Sequence, residues 1–486
     1  MPTPHLSRRI FLAASAASAA STLTGCSTNA KDKPVGANDD IRVAIVGMNG
    51  RGNSLLKECR ANQGVRIAAL CDCDSNILAD RKARSDKLGE NARTYTDIRK
   101  LLDDKEIDAV VLTIPNYWHA LGTVWACQAG KDVYVEKPIS YSIWEGRQMM
   151  AAAKKYGRMV QSGTQRRSDK GFYELVDYIQ SGKLGKVQYV RTLCYRDRSG
   201  IGKVSGPQPI PAYINYDLHC GPAPCGPLMR KNLHYDWHWV WPTGNGDIGN
   251  QGIHEIDQAR WILGYPKLPP RVFSVGGRFL WNDDGTTPNS QICVWGYDIP
   301  IITEVRNLYR TAGEKVMDAY KGTRVGIYVH CEGGYYTGGE NGGWSYDHKD
   351  NKIRQFVQEG VAQHTNNFFH AMRTRKQSDI TAPLSECHVS SSLCHMANIS
   401  HRVGKHMGSN QIMEIIKGDK LAADTWAAYE QHLKANNVDF AKEPPTMGAM
   451  LTLDPTTERF TGELAGAANA LVKREYRAPY VIPDNV

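Results

Sequence analysis

Apolar positions along the chain follow two different rhythms. From residue 41 to about 166, short continuous runs of aliphatic and β-branched residues alternate with stretches of helical period. Residues 41–46, 65–70, 108–114, 131–135 and 159–163 read as strands apolar on both faces. The stretch ending near Leu88, and residues 97–102, 118–130 and 143–156, read as helices. Regular β-α-β alternation with strands of this kind predicts a parallel, doubly wound sheet with right-handed crossovers.

The rhythm changes after residue 166. A helix (172–180) and a strand (187–195) lead into a stretch rich in Pro, Gly and aromatic residues, roughly 197–246, with no regular period. A loop of that length in a compact domain is usually functional. A helix over 252–263 follows. Strand-like segments at 271–280, 291–295, 301–308 and 324–329 then run on without helices between them, and helices at 365–375 and 387–407 close the pattern. That succession predicts an α+β second domain with a mostly antiparallel sheet. The expected organisation is a first domain over 41–166, a second over 167–410, and an extension over 411–486 to which the pattern assigns no role.

The beginning of the chain follows neither rhythm. Ser7-Arg8-Arg9-Ile10-Phe11-Leu12 precedes an Ala/Ser-rich run ending in Leu23-Thr24-Gly25-Cys26. Paired arginines before a weakly apolar segment read as a twin-arginine export signal. The L-T-G-C ending resembles a bacterial lipobox, in which Cys26 becomes the lipidated first residue; an ordinary cleaved signal or a retained short anchor are the alternatives. Residues 1–26 are thus an export signal and 27–40 a polar linker. The expected location is the periplasm, or the membrane surface of a bacterium through a lipid on Cys26. No other run is long and apolar enough to span a bilayer.

Composition adds limits. The 486 residues are 41% hydrophobic and 22% charged, as in a soluble globular protein. The net charge of +9 comes from 59 basic and 50 acidic residues with no long basic block, so no nucleic-acid partner is expected. Eleven Trp and 23 Tyr supply flat faces of the kind sugar sites use, and also serve packing. Of twelve cysteines, only Cys71/Cys73 and Cys220/Cys225 are close pairs, and neither has zinc-site spacing. A chain folded in the reducing cytosol before export is expected to keep its cysteines free and buried.

Four signals carry chemistry, each at the C-terminal end of a predicted parallel strand, where open α/β sheets bind ligands. The first is the turn Gly47, Asn49, Gly50, Arg51 and Gly52 in IRVAIVGMNGRG. Strand, tight turn and helix N-terminus suit a dinucleotide pyrophosphate, with Asn49 standing where a second glycine is usual. The second is Asp72, about 20 residues further on, where a carboxylate accepts the ribose hydroxyls and favours NAD over NADP. Arg81 and Arg84 leave NADP open, and Asp72 alternatively caps the next helix. The third is Pro115, Asn116 and His119 in TIPNYWHA. The fourth is Glu136-Lys137-Pro138, whose lysine is placed beside a nicotinamide as a proton donor or acceptor, its alternative being a surface lysine.

IVGMNGRG, LCDCD, TIPNYWHA and VEKPIS, in this order and spacing, resemble the Gfo/Idh/MocA oxidoreductases over about residues 41–410. The resemblance implies an N-terminal Rossmann doubly wound parallel sheet joined to a C-terminal α+β domain with a large, mostly antiparallel open sheet. It also implies NAD(P) as cofactor, a sugar or cyclitol substrate, and homo-oligomers formed through the open sheet. It places Lys137 at the family's catalytic lysine and Gln165 near the cofactor. The family's D-x-G-x-H helix falls on residues 250–254, which puts His254 at the general acid/base position and Asn250 where the supporting aspartate is usual. Asp247, one turn earlier, is the candidate substitute.

Just upstream, His234-Tyr235-Asp236-Trp237-His238 concentrates imidazole and indole rings. Tyr235, Trp237 and His238 are candidate substrate contacts. Packing is one alternative, and a metal held by His234 and His238 is another, although no carboxylate-plus-histidine set completes it; no metal is expected. Three functions stay open: an exported oxidoreductase holding its nicotinamide tightly, a redox-neutral NAD-dependent glycosidase, and a non-catalytic sugar-binding lipoprotein.

Overall fold

The computed structural model describes residues 40–486; the twin-arginine motif and Cys26 lie outside them. The first sheet is built from β1 (Ile41–Val46), β2 (Val65–Cys71), β3 (Arg93–Tyr95), β4 (Ala109–Leu112), β5 (Asp132–Val135) and β6 (Val160–Ser162). Its order is β3-β2-β1-β4-β5-β6 and every pairing is parallel. Between the strands run α1 (Gly50–Arg60), α2 (Ser75–Lys87), α3 (Ile98–Leu102), α4 (Asn116–Gln128) and α5 (Ile143–Lys155). The helices start where the sequence supplies acceptors: Asp74 accepts from the amides of Asn76 and Ile77 at α2, and Ser142 from that of Glu145 at α5. The strand order reverses between β1 and β4, which opens a crevice above the C-terminal strand ends.

After α6 (Lys170–Gln180) and β7 (Val187–Tyr195), the irregular segment carries a short α-helix, α7 (Tyr216–Cys220), and a 3-10 turn at Asp236–Trp239. Here Cys220 and Cys225 form a disulfide, where free cysteines were expected. The remaining cysteines among the described residues are free, and all but Cys73 are buried. A π-helical turn, Ile248–Gly252, then leads into α8 (Ile253–Leu263).

The second sheet contains β8 (Arg271–Gly277), β9 (Ser290–Trp295), β10 (Ile301–Arg306) and β11 (Val325–Cys331). It also contains β12 (Gly334–Gly339), β13 (Gly342–Tyr346) and β14 (Lys352–Val357), which the apolar rhythm missed: glycines erase the alternation in β12 and β13, and β14 is largely polar and exposed. β7 joins this sheet between β10 and β11; its pairing with β10 is parallel and its pairing with β11 antiparallel.

Two further helices tie the sheets together. α9 (His364–Thr374) returns to the first sheet, where Phe368, Phe369 and Met372 share a core with Val43, Leu55 and Leu56. α10 (Leu384–Arg402) is buried along most of its length. Small side chains let it lie against both halves: Ser391 accepts from the amide of Ile139, and the Leu393 carbonyl accepts from the Trp295 indole. Residues 411–486 also join the second sheet. β15 (Lys405–His406) pairs with β16 (Thr446–Met447), which pairs with β8; β17 (Leu451–Asp454) pairs with β8 and with β18 (Arg459–Thr461). α11 (Ser409–Ile416) and α12 (Lys420–Ala435) cover Phe273, Ile292 and Ile302 with Ile412, Trp426 and Leu433. Among the described residues no helix is long and apolar enough to cross a membrane.

Candidate active site

A cavity of about 1060 Å³ opens above the C-terminal ends of the parallel strands. β1 ends at Gly47, whose φ of +81° is open to glycine at little cost and whose own Cβ would press on Thr113 and Ile114. The turn delivers the N-terminus of α1, whose first amides have no partner within the helix, to the cavity wall. Gly47, Asn49, Gly50 and Arg51 line it. Around Gly50 there is open space, so backbone can approach a phosphate there. Gly52 does something else: a Cβ would collide with the Gly47 carbonyl and with Thr113, so this glycine lets helix and strand touch and does not line the cavity.

Asp72 lines the cavity at the end of β2 and accepts from the amides of Met48 (2.9 Å) and Asp74 (3.0 Å). Burial pushes its carboxyl upward, and these two amides oppose that. The cap of the next helix is Asp74, not Asp72, which leaves Asp72 lone pairs for ribose hydroxyls. Arg81 donates to the Met48 carbonyl at 3.2 Å behind the turn.

At the next strand end, Pro115 and His119 line the cavity. The His119 ring lies 2.8 Å from the Ile114 carbonyl and 2.7 Å from that of Pro138, tying the β4 end to the Lys137–Pro138 peptide, which is cis. Asn116 is a correction: it is buried at the start of α4 with its amide on Asn245, and it does not line the cavity. Glu136 is held by Arg51 (2.9 Å), Gln165 (3.2 Å) and the Lys137 amide (3.1 Å), and all four residues line the cavity.

Lys137 and His254 both face this space. The lysine donates to the main-chain carbonyl of Asn250 at 2.7 Å. Burial lowers its ammonium below the usual lysine range, with Glu136, Asp247 and Glu255 opposing. The His254 ring makes no hydrogen bond to any described residue; burial and then the charge of Lys137 hold it well below the usual histidine value, so it is neutral. Next to it, burial pushes the Glu255 carboxyl up to about 8.

Asp247 is the second correction. Its side chain is fully buried beneath the cavity and reaches no ligand directly. It accepts from Arg198 (2.9 Å), Asn307 (2.8 Å) and the Asn250 side chain (3.3 Å). Asp247 therefore supports the π-helical turn that presents the Asn250 carbonyl to Lys137. Arg198, invisible as a candidate in the sequence, also donates to the Tyr235 hydroxyl at 2.9 Å.

Tyr235, Trp237 and His238 form one wall of the cavity. Tyr235 has φ +66°, an uncommon backbone for a tyrosine that fits a functional site. His238 stacks on Trp237 at 3.6 Å and donates to the Tyr235 carbonyl at 2.5 Å; burial pushes it down to about 3. His234 turns instead to Asp74, at 3.0 Å. Among the described residues no group of three His, Cys, Asp or Glu side chains is placed to hold a metal.

Residues 41–164 match the family described as oxidoreductase family, NAD-binding Rossmann fold, and residues 197–283 match the C-terminal alpha/beta domain of the same family. The two matched regions are thus similar to the N- and C-terminal domains of the Gfo/Idh/MocA oxidoreductases, and the cofactor site is of the NAD-binding class. The chain is 34% identical over 173 residues to an inositol 2-dehydrogenase of Salmonella paratyphi B, covering 35% of this chain and 50% of that one. It is 33% identical over 118 residues to a glycosyl hydrolase family 109 protein of Solibacter usitatus, covering 22% and 27% respectively. The chain thus spans half or less of the length of these curated relatives. A solved WlbA dehydrogenase from Bordetella pertussis, in complex with NADH and UDP-GlcNAcA, shares the fold with TM-score 0.52 and 17% identity, over 73% of this chain and 94% of that one.

Proposed function

We propose that this chain is an NAD(P)-dependent oxidoreductase acting on a ring that carries several hydroxyls: a sugar, cyclitol or glycoside. The observation that carries it is one cavity holding the glycine turn, Asp72, a lysine fixed on a backbone carbonyl, and an unpaired neutral imidazole. The residues suit the dinucleotide: the α1 N-terminus for pyrophosphate, Asp72 for ribose, and Glu136, Lys137 and Gln165 for the far end. Bound there, a nicotinamide supplies a hydride acceptor. Lys137 then holds the substrate hydroxyl through its ammonium, and neutral His254 takes that hydroxyl's proton as the carbinol is oxidised. Trp237 and the ring stacked on it offer an apolar face to the sugar, with Tyr235 and Arg198 at its edge.

The test is to add a panel of sugars and cyclitols to purified protein and read reduced nicotinamide. Lys137→Ala and His254→Ala should each abolish the signal, and persistence of the signal in both sinks the assignment. A redox-neutral glycosidase is the second reading, favoured by Asn250 in the place of the usual aspartate and by the family 109 relative. It predicts cleavage of an activated glycoside with no net reduced nicotinamide.

Export and lipidation at Cys26 belong to the same proposal, supported by the Ser7–Leu12 and Leu23–Cys26 sequences. Cys26→Ser should release the protein from membranes and end incorporation of labelled palmitate. Self-association through the large sheet is supported by the family resemblance and is tested by light scattering.

A further inference from the structure

The irregular segment does more than supply aromatic residues to the substrate wall. It crosses the nucleotide end of the cavity. Just beyond Asp72, Asp74 and Ile214 form an antiparallel bridge, with the Asn215 amide on the Cys73 carbonyl (3.0 Å) and the Ser75 amide on the Tyr213 carbonyl (2.9 Å). α7 follows directly. The Trp118 indole donates to the Leu218 carbonyl (3.0 Å) and the Tyr117 hydroxyl to that of His219 (2.8 Å). Leu218 and His219 then line the cavity together with Cys73, Ile77, Thr96 and Ile98 from the Rossmann edge. At Gly221, which has φ +49°, a Cβ would overlap the Trp118 indole, so the chain lies directly on the ring.

A second segment holds this crossing down from outside. Arg477 donates to the carbonyls of Asp217 (2.9 Å) and Gly221 (3.2 Å), and the Tyr480 hydroxyl donates to the Asp217 carboxylate (2.6 Å). The Tyr480 ring meets Trp118 edge-on at 5.4 Å and carries the Arg99 guanidinium 5.2 Å from its centroid. Asp217 is therefore gripped by groups 260 and 263 residues away, and it has no role in the chemistry of the cavity.

We infer that α7 and residues 476–480 form a strap across the adenosine end of the dinucleotide site, so that the chain carries its nucleotide as a resident group and exchanges it only when the strap undocks. The inference rests on the reading of the cavity as a dinucleotide site. Its physical basis is that Leu218 and His219 line the cavity on the same side as Asp72, Cys73 and Ile77, on backbone held in place by the Asp74–Ile214 bridge and the Asp217 contacts. Each contact is individually modest. They are arranged in series around one short helix, so losing the outer ones loosens the inner ones.

The experiment uses the full chain purified natively. Nucleotide content is read by mass spectrometry after denaturation. Release is timed by diluting the protein into a nucleotide-degrading trap, for wild type, Arg477→Ala, and the double variant Arg477→Ala/Tyr480→Phe, with circular dichroism to confirm folding. The expected result is wild-type protein that keeps its nucleotide through gel filtration, and release at least tenfold faster in the double variant with the folded spectrum intact. Equal release rates in wild type and variants overturn the strap while leaving the site reading in place. Protein that neither carries nor binds NAD(H) or NADP(H) overturns the site reading and the strap together.

Discussion

The Lys137 ammonium donates to the Asn250 carbonyl at 2.7 Å, joining residues 113 positions apart. The acceptor is main chain and lies in the π-helical turn at Ile248–Gly252. The position where the family usually has an aspartate thus still orients the lysine, without its side chain. What the asparagine gives up is negative charge near His254.

Asn250→Asp adds that charge and keeps the carbonyl bond to Lys137, while giving up the amide bond to Asp247. A carboxylate there favours the imidazolium of His254, so the base form is lost at a higher pH than in wild type. The acid limb of the kcat/KM profile should move upward by about one pH unit. An unmoved limb would show that His254 is not the group titrating.

The two glycines of the turn separate packing from binding. Gly52→Ala drives a methyl group into the Gly47 carbonyl and Thr113, and overpacking of this kind costs about 1–3 kcal/mol. Gly50→Ala meets nothing in the protein and should change stability by less than about 1 kcal/mol. Its Cβ occupies the space a phosphate needs, so nucleotide affinity should fall by roughly tenfold or more. Urea unfolding and calorimetric titration of nucleotide into stripped protein give the two readouts. Equal effects of both substitutions on both readouts would contradict the placement.

The strand-end signals were legible because they are local. A β-branched run, a glycine turn and an acid 20 residues later need no tertiary knowledge, and Asp72, Lys137 and His254 all reach the cavity as read. Asn116 and Gly52 had the right neighbourhood and the wrong orientation: one faces Asn245, the other the strand beneath it. Arg198 and Asp217 carried no signal at all. Their partners are distant in sequence and lie in or beyond a Pro/Gly-rich stretch without period. β12 and β13 were hidden for a different reason, since glycine leaves no hydrophobic alternation to detect.

Arg198 links the floor of the site to its wall through Asp247 and Tyr235. Arg198→Ala leaves a fully buried carboxylate with only amide and thiol partners, and breaking a buried pair in this way costs about 3–5 kcal/mol. Arg198→Lys keeps the charge and loses the fork, so it should recover part of the stability but not the Tyr235 contact. Urea unfolding should therefore rank wild type above Lys above Ala. KM for the substrate should rise in both variants if Tyr235 contacts it.

Acid stability is set by buried histidines that take no part in the proposed proton transfer. Burial pushes His219 and His395 down to about 3, and His364, His401 and His432 down to about 4, against 6.5 ordinarily. Between those values only the unfolded chain takes up the proton. Their contribution is complete above pH 6.5 and is lost as pH falls, each histidine adding a slope of up to about 1.4 kcal/mol per pH unit. Glu255 works in the opposite direction. With its carboxyl at about 8 in the fold against 4.5 ordinarily, it weakens the fold as pH rises between those values; burial also raises the carboxyls of Asp72, Glu145 and Asp236, so these groups offset part of the histidine slope. The urea midpoint should therefore drop steadily from pH 7 to pH 5. His432 offers the cleanest check, because neither of its ring nitrogens has a partner. His432→Leu should leave stability at pH 7 nearly unchanged and flatten the acid slope by about one proton. An unchanged slope in that variant would mean that the buried imidazoles are not what the acid titrates.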